Sequence, residues 1–228
     1  MFVCGNSELF RSSNGGQTWQ RVEDGSGNPF QSSGQITALE FAPSDPAILY
    51  LATDSGAVYR AVNGGANAVD WTRIDTPGSP ADALFPTSQV QAIRVNPGNP
   101  NHVWLVFGGS GVSFTNRPDI ILNPLGISHL FRNTDATDIN GWVDASGQFP
   151  ALNLPDVPTS AAALADFDPL VAYAGTDVGV FRTTDGGVTW TAFQDGLPRS
   201  PVVELRFNRR FNRLYAATMG RGVYIRDV

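Results

Sequence analysis

The sequence contains no lysine, a single cysteine and two histidines, and each shortage excludes a class of functional site. Without lysine, the protein can form neither a Schiff base with a substrate nor the phosphate-binding loop in which a lysine contacts a nucleotide. Cys4 has no second cysteine with which to form a disulfide within the chain, and we expect it to be a small buried strand residue. His102 and His129 are too few for a zinc site built from histidines. The sequence therefore predicts neither a metal nor a cofactor.

Long apolar runs and an excess of positive charge are also missing. No stretch approaches the roughly 18 consecutive apolar residues of a membrane-spanning helix, and residues 2–6 have the pattern of a strand rather than of a signal peptide. The formal net charge of −6 offers no basis for binding the phosphate backbone of a nucleic acid. We therefore predict no nucleic-acid partner and no segment inserted in a membrane.

Turn-forming and aromatic residues, by contrast, are abundant. The 228 residues include 24 glycines and 16 prolines, and 11% of the chain is Phe, Trp or Tyr. Glycine and proline favour tight turns, whereas aromatic residues are enriched in β-strands. Residues 36–41 alternate between apolar and polar side chains, as in a strand with one buried face. The composition predicts a single all-β domain of many short strands over residues 1–228.

One pattern of small polar, Asp or Asn, Gly, Thr and Trp residues occurs twice with identical spacing, in residues 12–19 (the first box) and 183–190 (the fourth box). Two looser copies have extra residues before the Trp and are the second and third boxes. The residues of the pattern are Ser12, Asn14, Gly16, Thr18 and Trp19; Asn63, Gly65 and Trp71; Asp135 and Trp142; and Thr183, Asp185, Gly187, Thr189 and Trp190. Such repetition indicates a protein built from structural repeats.

Each of these residue types has a local physical role. The side chain of Asp or Asn in a turn accepts hydrogen bonds from backbone N–H groups a few residues on, and glycine adopts the positive φ that the turn requires. The Trp that follows starts a strand and offers a large apolar face for burial against a neighbouring sheet. We therefore predict that each box is a hairpin turn that folds from its own residues.

This pattern resembles the Asp-box, or bacterial neuraminidase repeat, of β-propellers such as sialidases, sortilin and xyloglucan-degrading enzymes. In that family the box joins strands C and D of each blade, on the face away from the active site, so the resemblance implies architecture more than activity. Residues 220–224, Gly-Arg-Gly-Val-Tyr, are similar to the segment that ends the last blade of large secreted bacterial proteins of this kind. The resemblance covers nearly the whole chain and implies an exported or cell-surface protein.

The repeats predict a β-propeller of about five blades, each a four-stranded antiparallel sheet with an Asp-box hairpin. Either the ring closes within this chain, with a three-stranded blade at each end, or the chain is the C-terminal part of a larger propeller. We favour the five-bladed ring. The predicted repeats are residues 1–22, 36–74, 90–146, 161–193 and 202–228.

The repeats also bear on the enzymatic hypothesis. A sialidase needs a tyrosine nucleophile, yet every Tyr and Trp here recurs at a structural position of the repeat. Arg11, Arg60, Arg132 and Arg182 recur after the aromatic residue of strand C, which indicates a scaffold role rather than a substrate clamp. Glu40 and Glu204 lie on predicted inner strands and could face a central channel. The alternative function is therefore a glycoside hydrolase, or part of one, that uses a carboxylate pair.

A spacing anomaly points to a binding surface. An insertion, residues 108–128, separates strands B and C of the third repeat, on the rim opposite the boxes, where a ligand site would lie on loops. We predict a non-enzymatic module that binds protein or carbohydrate there. The insertion could instead fold down and cap the ring, and the two aspartates of the B to C turns could serve only to form those turns. The candidate ligand-binding residues are Asp54, Phe114, Arg117, Asp119 and Asp177.

Overall fold

The computed structural model describes residues 1–64, 68–75, 88–108, 128–148, 152–197 and 199–228. In these ranges the chain forms nineteen β-strands arranged in five sheets. Within the same ranges, no helix is long and apolar enough to cross a membrane. Four predicted site residues lie outside the described residues: Gly65, Phe114, Arg117 and Asp119.

The strands follow one another across each sheet in chain order, except in sheet 2, where the first strand lies beside the last. Sheet 1 contains β1 (Phe2–Gly5), β2 (Glu8–Arg11) and β3 (Gln20–Arg21). Sheet 2 contains β4 (Glu23–Asp24), β5 (Ile36–Ala42), β6 (Asp45–Thr53), β7 (Val58–Val62) and β8 (Ala68–Arg73). Sheet 3 contains β9 (Val90–Asn96), β10 (Asn99–Phe107), β11 (Leu130–Asn133) and β12 (Trp142–Asp144).

Sheet 4 contains β13 (Thr159–Leu164), β14 (Ala172–Thr176), β15 (Gly179–Thr183) and β16 (Thr191–Ala192). Sheet 5 contains β17 (Val202–Asn208), β18 (Arg213–Thr218) and β19 (Gly222–Asp227). Neighbouring strands are antiparallel, except that β4 is parallel to β8. The fold is therefore all-β, with several four-stranded antiparallel sheets that resemble propeller blades.

A layer of apolar side chains lies between each pair of consecutive sheets. Tyr50 packs between sheets 2 and 3, Trp104 between sheets 3 and 4, and Tyr173 between sheets 4 and 5. Leu9 and Phe30 belong to the layer between sheets 1 and 2. Each large side chain that is fully buried in such a layer stabilises the fold by about 1.5–3 kcal/mol. Stacking of sheet upon sheet is therefore what holds the chain together.

The middle strands show which sheets are covered on both faces. Four consecutive residues of β6, from Leu49 to Ala52, are buried, as expected for a strand with a sheet on either side. In β18, buried Leu214 and Ala216 alternate with partly exposed residues. Sheet 5 is therefore covered on one face only.

The five sheets form a fan rather than the predicted closed ring. Consecutive sheets contact each other through their innermost strands, β5 with β9, β9 with β13 and β13 with β17. In the described ranges, no strand of sheet 1 has a comparable contact with a strand of sheet 5. Sheet 1 has no described strand beside β1, and sheet 5 has none beside β19, so no described strand links the edges of these two sheets.

Three local predictions were wrong. Residues 23–35, which the sequence predicts to be a Gly- and Ser-rich connection between the first two repeats, contain β4, and Phe30 of this segment stacks on Trp71 with the ring centroids 4.4 Å apart. Strand β8 begins at Ala68, so Trp71 lies inside the strand instead of starting it. Cys4 is exposed rather than buried, because no strand covers the outer edge of β1.

Candidate functional site

The fourth box is a turn held by its own side chains. Thr183 Oγ1 accepts a hydrogen bond from the Gly187 N–H at 2.9 Å, and Asp185 Oδ1 accepts one from the Thr189 N–H at 2.9 Å. The hydroxyls of Thr183 and Thr189 donate to the Asp185 carboxylate at 2.8 and 2.6 Å. Burial by itself would raise the pKa of Asp185, but these hydrogen bonds outweigh it and lower the pKa.

The first box repeats these contacts. Ser12 Oγ accepts from the Gly16 N–H at 2.8 Å, and Asn14 Oδ1 accepts from the Thr18 N–H at 2.9 Å. Gly16 and Gly187 both have a φ of 92°. In the third box, Asp135 Oδ1 accepts from the backbone and hydroxyl of Thr137, and these bonds lower the pKa of Asp135.

Two of the box tryptophans, Trp142 and Trp190, tie their own sheet to the one before it. The indole Nε1 of Trp142 donates to the carbonyl of Ile74, which follows β8, at 2.9 Å. Trp190 Nε1 donates to the carbonyl of Ala145, which follows β12, at 2.8 Å. Trp71 Nε1 is buried and has no hydrogen-bond partner among the described residues. The boxes are therefore joints of the scaffold, because their polar side chains already have hydrogen-bond partners within the turn or in the neighbouring sheet.

Two of the four recurrent arginines, Arg132 and Arg182, lie across aromatic side chains of their own sheets. The guanidinium carbon of Arg132 is 6.0 Å from the centre of the Trp104 ring, and that of Arg182 is 5.9 Å from the centre of the Tyr173 ring. Arg60 donates to Asn101 Oδ1 at 2.9 Å. These contacts are those of packing residues, with the stem of each arginine covering apolar surface.

The rim opposite the boxes carries the predicted binding residues that the structure describes. Asp54 Oδ1 accepts a hydrogen bond from the Gln35 N–H at 2.9 Å, so its carboxylate serves to join the turn after β6 to the link before β5. Asp177 is exposed in the turn between β14 and β15, and its N–H donates to the Pro158 carbonyl at 3.0 Å. The two aspartates lie on different sheets, and the structure gives no contact between them.

The described residues that flank positions 109–127 form a hydrogen-bonded base on this rim, the braced base of the insertion. The Phe107 N–H donates to the His129 carbonyl at 2.8 Å, which pairs the two ends of the insertion. Ser128 Oγ donates to the Asp144 carboxylate, and His129 Nε2 lies 3.3 Å from Asp156 Oδ1. Burial raises the pKa of Asp144, and hydrogen bonds from Ser128 and Ser146 only partly offset it.

This base was not anticipated from the sequence. The only signal was the wider spacing between the strand C arginines Arg60 and Arg132, which locates an insertion but not the polar residues that support it. Ser146 completes the base, since its Oγ accepts hydrogen bonds from the His129 and Leu130 N–H groups at 2.9 Å each.

A second cluster of charge lies on the inner strands, and we name it the axial cluster: Glu40, Arg94, Glu204 and Arg206. Arg94 donates to Glu204 at 2.6 Å and to the Ala162 carbonyl at 2.7 Å. The Arg206 Nε atom is 3.0 Å from the same Glu204 oxygen. Glu204 thus forms ion pairs with two arginines, one on β9 and one on its own strand.

Glu40 is the second glutamate of the axial cluster, and its pKa is raised. Burial is the main cause that raises its pKa, with a smaller contribution from the negative charge of Glu204, while Arg94 and Arg206 act in the opposite direction. The cluster therefore combines a partly buried carboxyl group with a raised pKa, Glu40, and a second carboxyl group, Glu204, that lies within ion-pair distance of two arginines. The sequence placed both glutamates on inner strands but missed the two arginines.

The strand pairing relates three of the four residues of the axial cluster to one another. Glu40, Arg94 and Arg206 each pair with the aromatic residue of the adjoining strand, namely Tyr50, Trp104 and Tyr215. They therefore occupy one equivalent position in three sheets, and Ala163 occupies it in sheet 4. Aligning the repeats on this position would have related Glu40, Arg94 and Arg206, but not Glu204, which pairs with Ala217.

Comparisons with known proteins give a fold and no family. No protein-family model and no curated protein matches the chain. It is similar to the crystal structure of an ancestral GH74 enzyme, with a TM-score of 0.62 and 17% identity, over 95% of this chain and 25% of that one. It is also similar to the extracellular domain of a hybrid two-component system from B. thetaiotaomicron, with a TM-score of 0.56 and 10% identity, over 84% of this chain and 23% of that one.

The computationally designed Ika4 protein has a TM-score of 0.55 and 13% identity, over 86% of this chain and 93% of that protein. The GH74 enzyme and the extracellular domain are both of the β-propeller type. The chain spans about a quarter of the length of each of these two natural proteins. The likeness therefore supports a propeller-like fold and leaves function to be argued from the site.

Proposed function

We propose that this chain is a non-enzymatic β-propeller module of the Asp-box type, belonging to an exported or cell-surface protein, which binds a protein or a carbohydrate. The contact lies on the rim that carries residues 108–128. The observation that carries this proposal is the braced base of the insertion, where the backbones of Phe107 and His129 pair and Ser128 donates a hydrogen bond to Asp144. A loop on a rigid scaffold is a usual location for recognition.

The structural neighbours support the setting of this proposal. One of them is an extracellular domain and another is a carbohydrate-active enzyme. In the axial cluster, Glu204 is engaged by two arginines and Arg94 donates to a backbone carbonyl, so both side chains have partners within the protein. Such a network serves to neutralise charge on the inner strands.

The test removes residues 109–127 of the insertion and keeps the braced base. Residues 109–127 are replaced by Asp-Ser-Gly, the three residues that follow Thr53 in the turn of sheet 2. Binding to a panel of neutral and acidic polysaccharides is measured by affinity gel electrophoresis, and protein ligands are tested by pull-down against extracellular proteins. We expect binding to be lost while the melting temperature stays within a few degrees of the original.

Asn140→Ala is the matched control, because Asn140 is exposed in the turn of the third box, on the opposite rim. This variant should bind as the original chain does. Full binding by the loop-replaced chain would contradict the proposal and move the ligand site elsewhere.

A second candidate function is glycoside hydrolysis, and the axial cluster is the specific observation in its favour. Such hydrolysis uses two carboxyl groups, one of which acts as an acid with a raised pKa, and burial raises the pKa of Glu40. If the cluster is catalytic, the chain should release reducing sugars from a polysaccharide, and both Glu40→Gln and Glu204→Gln should abolish that release. Release that survives both substitutions, or none from the original chain, would reject this candidate.

A further inference from the structure

The inner strand of sheet 4 has alanines where the inner strands of sheets 3 and 5 have charged side chains. Ala161, Ala162 and Ala163 are consecutive in β13, and all three are buried. By the strand pairing, Ala163 occupies the position that Arg94 has on β9 and Arg206 has on β17. A methyl group at this position leaves room for a long side chain of sheet 3 to pass sheet 4.

The guanidinium group of Arg94 uses this room to contact three sheets at once. Its Nη1 donates to the Ile93 carbonyl of its own sheet at 2.9 Å, and its Nε donates to the Ala162 carbonyl of sheet 4 at 2.7 Å. Its Nη2 donates to Glu204 Oε1 of sheet 5 at 2.6 Å. The Arg94 side chain is only 12% exposed. Because the N–H groups of a guanidinium have a fixed planar geometry, the three acceptors are held in one arrangement around it.

The apolar layers constrain these sheets in a different way. One layer joins sheets 3 and 4 and the next joins sheets 4 and 5, so each acts between neighbours. Hydrophobic contact is non-directional, whereas a hydrogen bond between charged groups has a preferred length and angle and is roughly twice as strong as a neutral one. The bond from Arg94 to Glu204 joins two sheets that are not neighbours, so a change in either intervening angle would stretch it.

We propose that Arg94 and Glu204 form an ionic strap that sets the angle between sheets 3 and 5. The braced base of the insertion belongs largely to sheet 3, and residues 219–221, the turn between β18 and β19, lie on the same rim in sheet 5. The strap therefore determines how far apart these two parts of the rim lie. Salt weakens it, because the Glu204 side chain is 43% exposed and ions reach the pair. The strap is a property of the scaffold and does not rest on the proposed ligand.

The test measures the distance between sheets 3 and 5 in the folded chain by double electron–electron resonance. Nitroxide labels are attached at Val143→Cys and Val223→Cys, with Cys4→Ser to remove the natural thiol. Both valines are exposed, on strands β12 and β19 at the sheet edges opposite the inner strands, where a change in the angle moves the labels most. We expect one narrow distance distribution in this labelled background. Arg94→Met keeps an unbranched stem without donors and should give a longer and broader distribution.

Arg206→Met is the matched control. Arg206 Nε lies 3.0 Å from the same Glu204 oxygen, but both residues are on β17, so this pair does not link two sheets. The control removes the same charge and should leave the distance distribution unchanged. A salt series adds a second readout, since sodium chloride should broaden the distributions of the background and of the control and leave that of Arg94→Met as it is. Loss of packing alone would not give this salt dependence.

Glu204→Gln tests the strap from its other end. It keeps the shape of the acceptor and removes the charge, so it should give a smaller shift than Arg94→Met, and the two substitutions together should shift the distance no further than Arg94→Met alone. Circular dichroism shows beforehand that each variant is folded, and if Arg94→Met is not, Glu204→Gln decides the question. An unchanged distribution in the folded variant would overturn the proposal. So would an equal broadening in Arg206→Met, because the effect would then belong to the charge of the cluster rather than to a link between sheets.

Discussion

The first and fourth boxes have the same turn but opposite surroundings. Their side chains accept and donate matching hydrogen bonds, and their glycines share the same backbone angle. Yet Trp190 is 3% exposed and Trp19 is 38% exposed. The difference arises because sheet 4 has sheet 3 before it, whereas sheet 1 has no described sheet on that side.

This contrast separates two sources of stability. The turn depends only on residues within the box and forms wherever the pattern occurs. Burial of the indole depends on a neighbouring sheet, with which Trp190 forms a hydrogen bond to Ala145 and an edge contact to Trp104 at 6.5 Å between ring centres. The sequence motif therefore specifies the turn, and the adjoining sheet determines how much the tryptophan of that turn contributes to stability.

The largest expected effect comes from removing the two indoles. Trp190→Ala should lower the free energy of unfolding by about 3–5 kcal/mol, because a buried aromatic side chain leaves a cavity and the Ala145 carbonyl loses its donor. Trp19→Ala should cost less than about 1 kcal/mol at concentrations where the chain is monomeric. Urea unfolding followed by circular dichroism measures both values, and equal losses would contradict the contrast.

Acid should lower the free energy of unfolding through His102, which lies beside Trp104, the residue that contacts Trp190. His102 Nε2 accepts a hydrogen bond from Trp104 Nε1 at 3.2 Å, and burial, together with the charge of Arg132, lowers the pKa of His102 to about 4. The unfolded chain binds this proton at about pH 6.5, before the folded chain does, so stability is lost as the pH falls from about 6.5 to about 4. The loss from this group is on the order of 3 kcal/mol.

His102→Gln isolates that contribution from those of the other titrating groups. The variant should show a flatter dependence of the free energy of unfolding on pH between about 4 and 6.5. Parallel profiles for the original chain and the variant, from urea unfolding at a series of pH values, would show that His102 is not the group responsible.

The two box glycines provide a third test. A Cβ added to Gly187 would lie 2.5 Å from the Ala145 carbonyl oxygen, whereas one added to Gly16 would have its nearest neighbour, in the Trp19 ring, at 3.6 Å. Gly16→Ala should cost about 1 kcal/mol from the positive φ alone, and Gly187→Ala roughly 2–3 kcal/mol because backbone must also move. Thermal melting of the two variants gives the comparison. A larger loss for Gly16→Ala would be inconsistent with it.

Contacts within a box could be predicted from the sequence, whereas contacts between sheets could not. The box contacts span at most four residues, as between Asp185 and Thr189, so residue types and spacing were enough to predict them. The strands were predicted from alternation and from Gly and Pro turns. The pairing of β4 with β8 and the ion pair between Arg94 and Glu204, 110 residues apart, depend on which sheets meet in space.

The candidate site was less predictable for a related reason. Asp54 and Asp177 stand out as carboxylates on a rim, but only the structure shows that Asp54 accepts a hydrogen bond from the Gln35 backbone. Ring closure could not be predicted either. A count of strands gives the number of sheets, while the angle between sheets depends on the side chains packed between them, such as Tyr50 and Trp104.

The smallest effect concerns the acceptor of the turn. Asp185→Ala leaves the Thr189 N–H without its acceptor and should cost about 1–3 kcal/mol. Asp185→Asn should cost less than about 1 kcal/mol, since Asn14 already holds the first box with an amide. There the Nδ2 group donates to Thr18 Oγ1 at 2.8 Å, which reverses the direction of the bond that Thr189 makes to Asp185.

The acid dependence separates these two variants from the original chain. The pKa of Asp185 is lowered on folding, so its stabilisation is present above the unfolded pKa of about 3.8 and is lost as the pH falls below it. Asp185→Asn should retain most of the stability at neutral pH and lack this acid-dependent loss. If Asp185→Asn destabilised the protein as much as Asp185→Ala at neutral pH, the negative charge would be essential, and the two boxes would not be equivalent despite their matching hydrogen bonds.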